Sequence, residues 1–138
     1  MQSKFGHLQV NVDAKNLGFY RDLLRFLEWT PYVDDSATMI GYGGANGGSL
    51  WFGPYESHLR ANDYDGIGVN HIAIEVSAQA DVDAAVNYLS EKGIEALFET
   101  PRHRPDFGMG EGQTYYQVMF KSPDNLLFEI VYIGAIDG

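Results

Sequence analysis

One strand-forming pattern occurs twice in this chain at a constant offset. Phe5-Gly6-His7-Leu8-Gln9-Val10-Asn11-Val12 reads against Val69-Asn70-His71-Ile72-Ala73-Ile74-Glu75-Val76, 64 residues later (71 − 7). In each copy a His is followed by strict alternation. Leu8, Val10 and Val12 answer to Ile72, Ile74 and Val76 as an apolar face, and His7, Gln9 and Asn11 to His71, Ala73 and Glu75 as the opposite face. A helical stripe follows each strand: Leu17, Tyr20, Leu24 and Leu27, widened by Phe19, Leu23 and Phe26, with Asp13 or Asn16 available as cap. In the second copy it is Val82, Ala85, Val86 and Leu89, with Asp81 and Asp83 in the first turn and Gly93 placed to end it. Three short β-like runs then follow each helix, Thr30–Asp34, Thr38–Tyr42 and Ser49–Phe52, then Glu95–Thr100, Thr114–Phe120 and Leu126–Tyr132. Gly43–Gly48 and Ser122–Asn125 supply the last turn of each half. The expected fold is α+β, two βαβββ modules in a single domain spanning 1–138. The first module covers 1–57 and the second 69–138, with 58–68 as a linker inside the polar, Gly-punctuated stretch Pro54–Gly68.

A chain of 138 residues can bury enough surface to fold without disulfides, and it has no cysteine. Thiolate nucleophiles, iron–sulfur clusters and cysteine zinc sites are thereby excluded. The charge is −10, from 9 Lys and Arg against 19 Asp and Glu, and the cations are scattered apart from Arg102 and Arg104. Such a surface repels phosphate backbones, so no nucleic-acid partner is expected. No run approaches the roughly 20 apolar residues of a membrane span. Met1–Phe5 is not a charged segment leading into an apolar one, which makes cytoplasm the expected location. The glycine-rich run 43–48 lacks GxGxxG spacing and leads into a strand, so it is not a dinucleotide loop.

Strand parity selects the residues that carry chemistry. In the final run Phe128 and Ile130 join the apolar set, which leaves Leu127, Glu129 and Val131 on the face of His7 and His71. An ionised Glu between Phe128 and Ile130 is costly to desolvate unless it is paired or bound to a metal. Two imidazoles and a carboxylate converging from three strands make a 2-His-1-carboxylate set, which holds a divalent first-row ion and leaves positions open for substrate or water.

The whole chain resembles the vicinal oxygen chelate superfamily of glyoxalase I, bleomycin-resistance proteins, fosfomycin-resistance thiol transferases and extradiol dioxygenases. The most specific pieces are Phe19-Tyr20-Arg21-Asp22-Leu23-Leu24 and the ending Ser122–Ile130, close to the DPDGxxxE ending of that group. The resemblance implies paired modules around a concave cavity, with ligands from the first strand of each module and the last strand of either or both. His7, His71 and Glu129 then bind one divalent ion per site (Zn, Mn, Ni, Co or Fe). Trp51 stands in the slot where glyoxalase I carries a further Glu, which leaves three ligands. Gly48-Ser49-Leu50-Trp51 is similar to the fosfomycin enzymes, but Gln9 replaces their Thr and no Arg follows Glu129. The acid–base His and Tyr of the dioxygenases are met only by residue type at His58 and His103, and Met119 stands at the position of the Tyr.

The resemblance further implies a small-molecule substrate with adjacent oxygens, reacting through an enolate- or alkoxide-like intermediate in a lyase, isomerase, dioxygenase or thiol transferase. Gln9, Asn11, Ser49, Trp51, Tyr115, Gln117 and Met119 face the cavity by parity. Tyr115 is the candidate proton donor, Trp51 and Met119 an apolar wall, and Arg102 in the 102–108 loop a contact for a carboxylate. A homodimer is expected, with module exchange permitted by the linker. Glu75 is placed to orient an imidazole. The alternative is a metal-free sequestration protein of the bleomycin-resistance kind, holding an aromatic or cationic ligand against Trp51 and tyrosines in an acidic cavity.

Overall fold

Both repeats form the elements that their periodicity dictates. The computed structural model describes residues 1–34, 37–55, 61–108 and 110–136, in two compact units, Met1–Ala61 and Asn62–Gly138. The first holds β1 (His7–Val12), α1 (Leu17–Phe26), β2 (Thr30–Val33), β3 (Ile40–Gly43) and β4 (Ser49–Pro54). The second holds β5 (Ile72–Val76), α2 (Gln79–Glu91), β6 (Leu97–His103), β7 (Gln113–Lys121) and β8 (Leu127–Ala135). The βαβββ order of each repeat is as the sequence reads, and the architecture is α+β.

In the first unit the sheet order is β1-β4-β3-β2, with β1 parallel to β4 and the other pairs antiparallel. Asp13 accepts from the Lys15 amide to open a short 3-10 turn ahead of α1. Leu17, Tyr20, Leu23 and Leu24 are then buried on one side of the helix. Tyr20 stacks on Phe52 with ring centroids 4.3 Å apart, so α1 covers the face that also carries Ile40, Tyr42 and Leu50. Each such side chain removed from water stabilises the fold by about 1.5–3 kcal/mol. Asp34 ties this layer at its end, accepting from Arg21, Arg25 and the buried Tyr42 hydroxyl.

The second unit repeats this order as β5-β8-β7-β6, with β5 parallel to β8. Asp81 accepts from the Ala78 amide at the start of α2, and Gly93, at φ +70°, ends it in the left-handed conformation that glycine adopts without strain. Val82, Ala85 and Leu89 face Ile74, Val118, Phe120, Phe128 and Ile130, all buried. Asn125 takes φ +61° in the β7–β8 turn, and Ser122 Oγ accepts from the amides of Asp124 and Leu126. Asn62 and Asn125 each donate their side-chain amide to the other's carbonyl, which fastens the segment ahead of β5 to that turn.

All six strands that follow the helices differ at their ends from the sequence reading, β8 for example running on to Ala135. β3 begins at Ile40 rather than Thr38, and β6 runs to His103 past Pro101. Proline normally ends a paired strand because it lacks a donor, but β6 is at the sheet edge, where a missing N–H leaves no ladder partner unsatisfied.

Candidate functional site

Register fixes which side chains share the sheet face turned away from α2. Glu129 of β8 lies between Ala73 of β5 and Met119 of β7, and Gln117 pairs with Val131. Tyr115 follows on the same face, opposite Ile133. The parity of the sequence is therefore the parity of the structure: Glu129, Tyr115, Gln117 and Met119 face one way, and Phe128 and Ile130 the other.

Glu129 is only 3% exposed. The Tyr115 hydroxyl donates to its Oε1, and Gln117 Nε2 donates to its Oε2 at 2.9 Å. Both donors are neutral, so these bonds orient the carboxyl group without supplying a counter-charge of their own. Burial first, then the bond to Glu129, raise the Tyr115 phenol well above its ordinary range, so it holds its proton at neutral pH and works as a donor.

His71, just before β5, also approaches Glu129. Its Nε2 stands 3.7 Å from Glu129 Oε2, beyond hydrogen-bond range. On the other side of the ring, Nδ1 lies 2.7 Å from Asn70 Oδ1. An amide oxygen only accepts, so Nδ1 is the donor in this contact, and of the two neutral tautomers it selects the one whose Nε2 lone pair is toward Glu129. A hydrogen bond that fixes the tautomer from behind is the usual support of a ligating imidazole.

These residues fit a divalent ion. Bonds of about 2.0–2.2 Å from nitrogen and oxygen allow two donors of one ion to stand at most about 4.4 Å apart, and 3.7 Å lies within that span. Tyr115 and Gln117 use two of the roughly four acceptor positions of the carboxylate, which leaves others open. Asn70 was not legible as the imidazole's support: it precedes the strand and breaks the alternation, whereas Glu75 had the right parity. Among the described residues no group of three His, Cys, Asp or Glu gathers as a ligand set.

In the first unit β1 and β4 carry the equivalent face. His7 pairs with Ser49, Gln9 with Trp51 and Asn11 with Gly53. Trp51 thus occupies in β4 the position that Glu129 occupies in β8, opposite the residue two after the repeat's His. Its indole donates to Ser49 Oγ at 2.9 Å and lies against Gly41, where an added Cβ would come within 2.3 Å of the ring. Tyr32 lies over Gly43 in the same way, with its ring centroid 6.2 Å from that of Trp51. His7 is exposed at the start of β1.

The remaining candidates divide by face. His103 donates or accepts at Thr114 Oγ1 and stacks on Tyr116, whose hydroxyl donates to Asp83 of α2. It belongs to the helix side and does not share the face of Glu129. Arg102 pairs with Gln117 across β6 and β7 and does share it. His58 lies outside the described residues.

The sequence profile of the Glyoxalase/Bleomycin resistance protein/Dioxygenase superfamily matches residues 4–130. Among solved structures, a candidate glyoxalase from Bacillus halodurans is 25% identical over 95% of this chain and 96% of its own, with a TM-score of 0.76. A glyoxalase/dioxygenase from Nostoc punctiforme is 19% identical over 94% and 90%, with a TM-score of 0.72. The fosfomycin resistance protein FosX of Listeria monocytogenes, solved in complex with Mn(II) and sulfate, is 22% identical over 96% and 91%, with a TM-score of 0.64. No curated protein matches significantly.

Proposed function

The chain belongs to the Glyoxalase/Bleomycin resistance protein/Dioxygenase superfamily, and from that premise we propose that it is a divalent-metal-dependent enzyme acting on a small substrate with two adjacent oxygens. His71 and Glu129 hold the ion, with His7 from the equivalent strand of the first repeat as third ligand. The observation that carries this reading is the buried Glu129, met by two neutral donors and by an imidazole nitrogen whose proton is held on the far side of its ring by Asn70. FosX of the same fold is described with Mn(II), which favours a first-row ion.

When bound, the ion acts as a Lewis acid on the chelating oxygens and favours the negative charge that develops there as the substrate reacts. Gln117 and Tyr115 orient the Glu129 carboxylate, so it need not reorganise on binding. Tyr115 keeps a proton at its hydroxyl beside Glu129, where it can be offered to a substrate oxygen. Met119, beside Glu129 in the register, and Trp51 supply apolar surface that excludes water, and Gln9 offers an amide to substrate.

The test is elemental metal content per chain, on protein purified without chelator or affinity tag, beside Glu129→Gln, His71→Ala and His7→Ala. Near-stoichiometric metal in the parent and its loss in the variants is expected. No metal in the parent after incubation with Zn, Mn, Ni, Co and Fe(II) salts refutes the reading. Light scattering then tests the homodimer with exchanged modules, against which a monomer holding one metal per chain would count.

A second reading, metal-free sequestration of a planar ligand, is favoured by the Trp51 and Tyr32 rings lying on Gly41 and Gly43. Tight ligand binding that is indifferent to chelator distinguishes it.

A further inference from the structure

We propose that Arg102 and Arg104 form an anion clamp, so that the substrate carries an oxyanion group in addition to its two adjacent oxygens. The inference rests on the metal-centre reading for the second half of that statement and on the second unit's own geometry for the first.

Three observations place the clamp. Arg102 is paired with Gln117, and the Arg104 amide donates to the Tyr115 carbonyl at 2.6 Å. Arg102 on β6 leaves the sheet on the face of Tyr115, Gln117 and Glu129, and Arg104, one residue past the end of β6, is held beside Tyr115 by that amide bond and by Phe107. Secondly, Arg102 Nε is buried and has no hydrogen-bond partner among the described residues. A buried donor of a charged group left unmade is expensive and uncommon in folded proteins. Its only ion pair there is with Glu99, at 3.8 Å on a side chain 91% exposed, which offsets little of that cost.

Thirdly, Arg104 is pre-set. Asp106 accepts from its Nε at 3.3 Å and Nη2 at 3.1 Å, its guanidinium lies 4.2 Å from the Phe107 ring centroid, and Phe107 meets Tyr115 edge-on at 5.6 Å. That leaves the Nη1 side of the fork for a ligand.

Neither guanidinium forms an ion pair with Glu129 among the described residues, although the Glu129 charge acts on Arg104 through space. On a chain of charge −10 they are the one place where two cations stand together in the sequence. A bidentate guanidinium suits a carboxylate, a phosphonate or a phosphate. The substrate class is therefore a small acid whose vicinal oxygens lie at one end and whose oxyanion lies at the other.

The probe pair is catechol and 3,4-dihydroxybenzoate, which share vicinal oxygens and differ by one carboxylate. On Zn-loaded protein, calorimetric titration is expected to give at least about tenfold tighter binding of the acid, as charge-assisted hydrogen bonds imply. The preference should fall below about threefold in Arg102→Gln and in Arg104→Gln, checked by circular dichroism for intact folding. A carboxylate preference that survives both substitutions, or none in the parent, overturns the clamp while leaving the metal centre standing. A second arm needs no ion: chelator-stripped, 15N-labelled protein is titrated with benzoate and read at the Arg102 Nε–H resonance, assigned by its loss in Arg102→Gln. A saturable downfield shift is expected even if zinc and catechol fail to bind, which would refute only the metal centre; an unmoved resonance refutes the clamp.

Discussion

Gly41→Ala and Gly18→Ala are the same chemical change, and the structure predicts opposite signs for them. At Gly41 a Cβ would lie 2.3–2.5 Å from Cε3, Cζ3 and Cδ2 of Trp51. Ordinary carbon contacts are about 3.5–4.0 Å, so the indole must withdraw by about 1.2–1.7 Å. Overpacking of this kind costs about 1–3 kcal/mol. Withdrawal also breaks the 2.9 Å bond from Trp51 Nε1 to Ser49 Oγ, worth about 0.5–1.5 kcal/mol. Against this stands about 0.4–1 kcal/mol from the stiffer unfolded chain. The net expectation is a loss of about 1–3 kcal/mol, or roughly 3–10 °C in Tm for a chain of this length. Gly18 is exposed on α1, and a Cβ there meets nothing within 4 Å. That substitution should stabilise by about 0.5–1 kcal/mol. Thermal unfolding by circular dichroism reads both, and Trp fluorescence reads the displaced indole. In a Trp51→Leu background the Gly41→Ala penalty should shrink by more than half. A Gly41→Ala variant with unchanged Tm and emission would refute the close seating of the ring on the strand.

Further outcomes follow from the hydrogen-bonded groups. Asn70→Ala should leave folding intact and weaken metal binding about 10–100-fold, measured by competition with a chromophoric chelator, because His71 loses the acceptor that fixes its tautomer. Asp34→Ala should destabilise by about 1–3 kcal/mol in urea, because it strands the hydroxyl of the fully buried Tyr42. The Tyr42 hydroxyl and then Arg25 hold the Asp34 carboxyl below its usual range. Its stabilising share is thus present above the unfolded carboxylate pKa and lost as pH falls through the depressed folded value. Burial, then its bond to Asp83, push the Tyr116 phenol up to about 12. Stability should decline as pH rises from about 10 through 12, and the 295 nm absorbance step of Tyr116 should move toward 10 in Asp83→Asn.

Much of this site was legible because strand parity is a two-state code. Once Phe128 and Ile130 were assigned to the core, Glu129 had to face the other way with Leu127 and Val131, and Met119 and Gln117 followed by pairing. The equivalence of Trp51 and Glu129 came from the repeat in the same manner. What escaped reading lies where no period applies. Asn70 sits ahead of β5, and Arg104 and Phe107 sit past the edge strand, at the cap and the end of a short 3-10 turn, so only tertiary contacts reveal that they lean toward Tyr115. Gln117 was legible as a member of the face, but its bond to Glu129 depends on a diagonal reach between neighbouring strands that spacing does not encode. The passage of β6 through Pro101 depends on that strand having one free edge, a property of topology.

The strand order has a consequence for synthesis. In each unit the last strand made, β4 or β8, is an interior strand, flanked on one side by the unit's first strand and on the other by its third. Neither sheet can be built strand by strand from its first strand as the chain leaves the ribosome. The first strand has no ladder partner until the last arrives, the kind of long-range pairing that slows folding and leaves an unpaired edge open to aggregation. The first unit is released from this wait when Pro54 emerges, whereas β5 stays unpaired until the chain has been made through β8. A chain cut short before Leu127 would lack Glu129 and also the strand to which β5 binds. Messages truncated there should yield insoluble or proteolysed product rather than a folded but inactive protein.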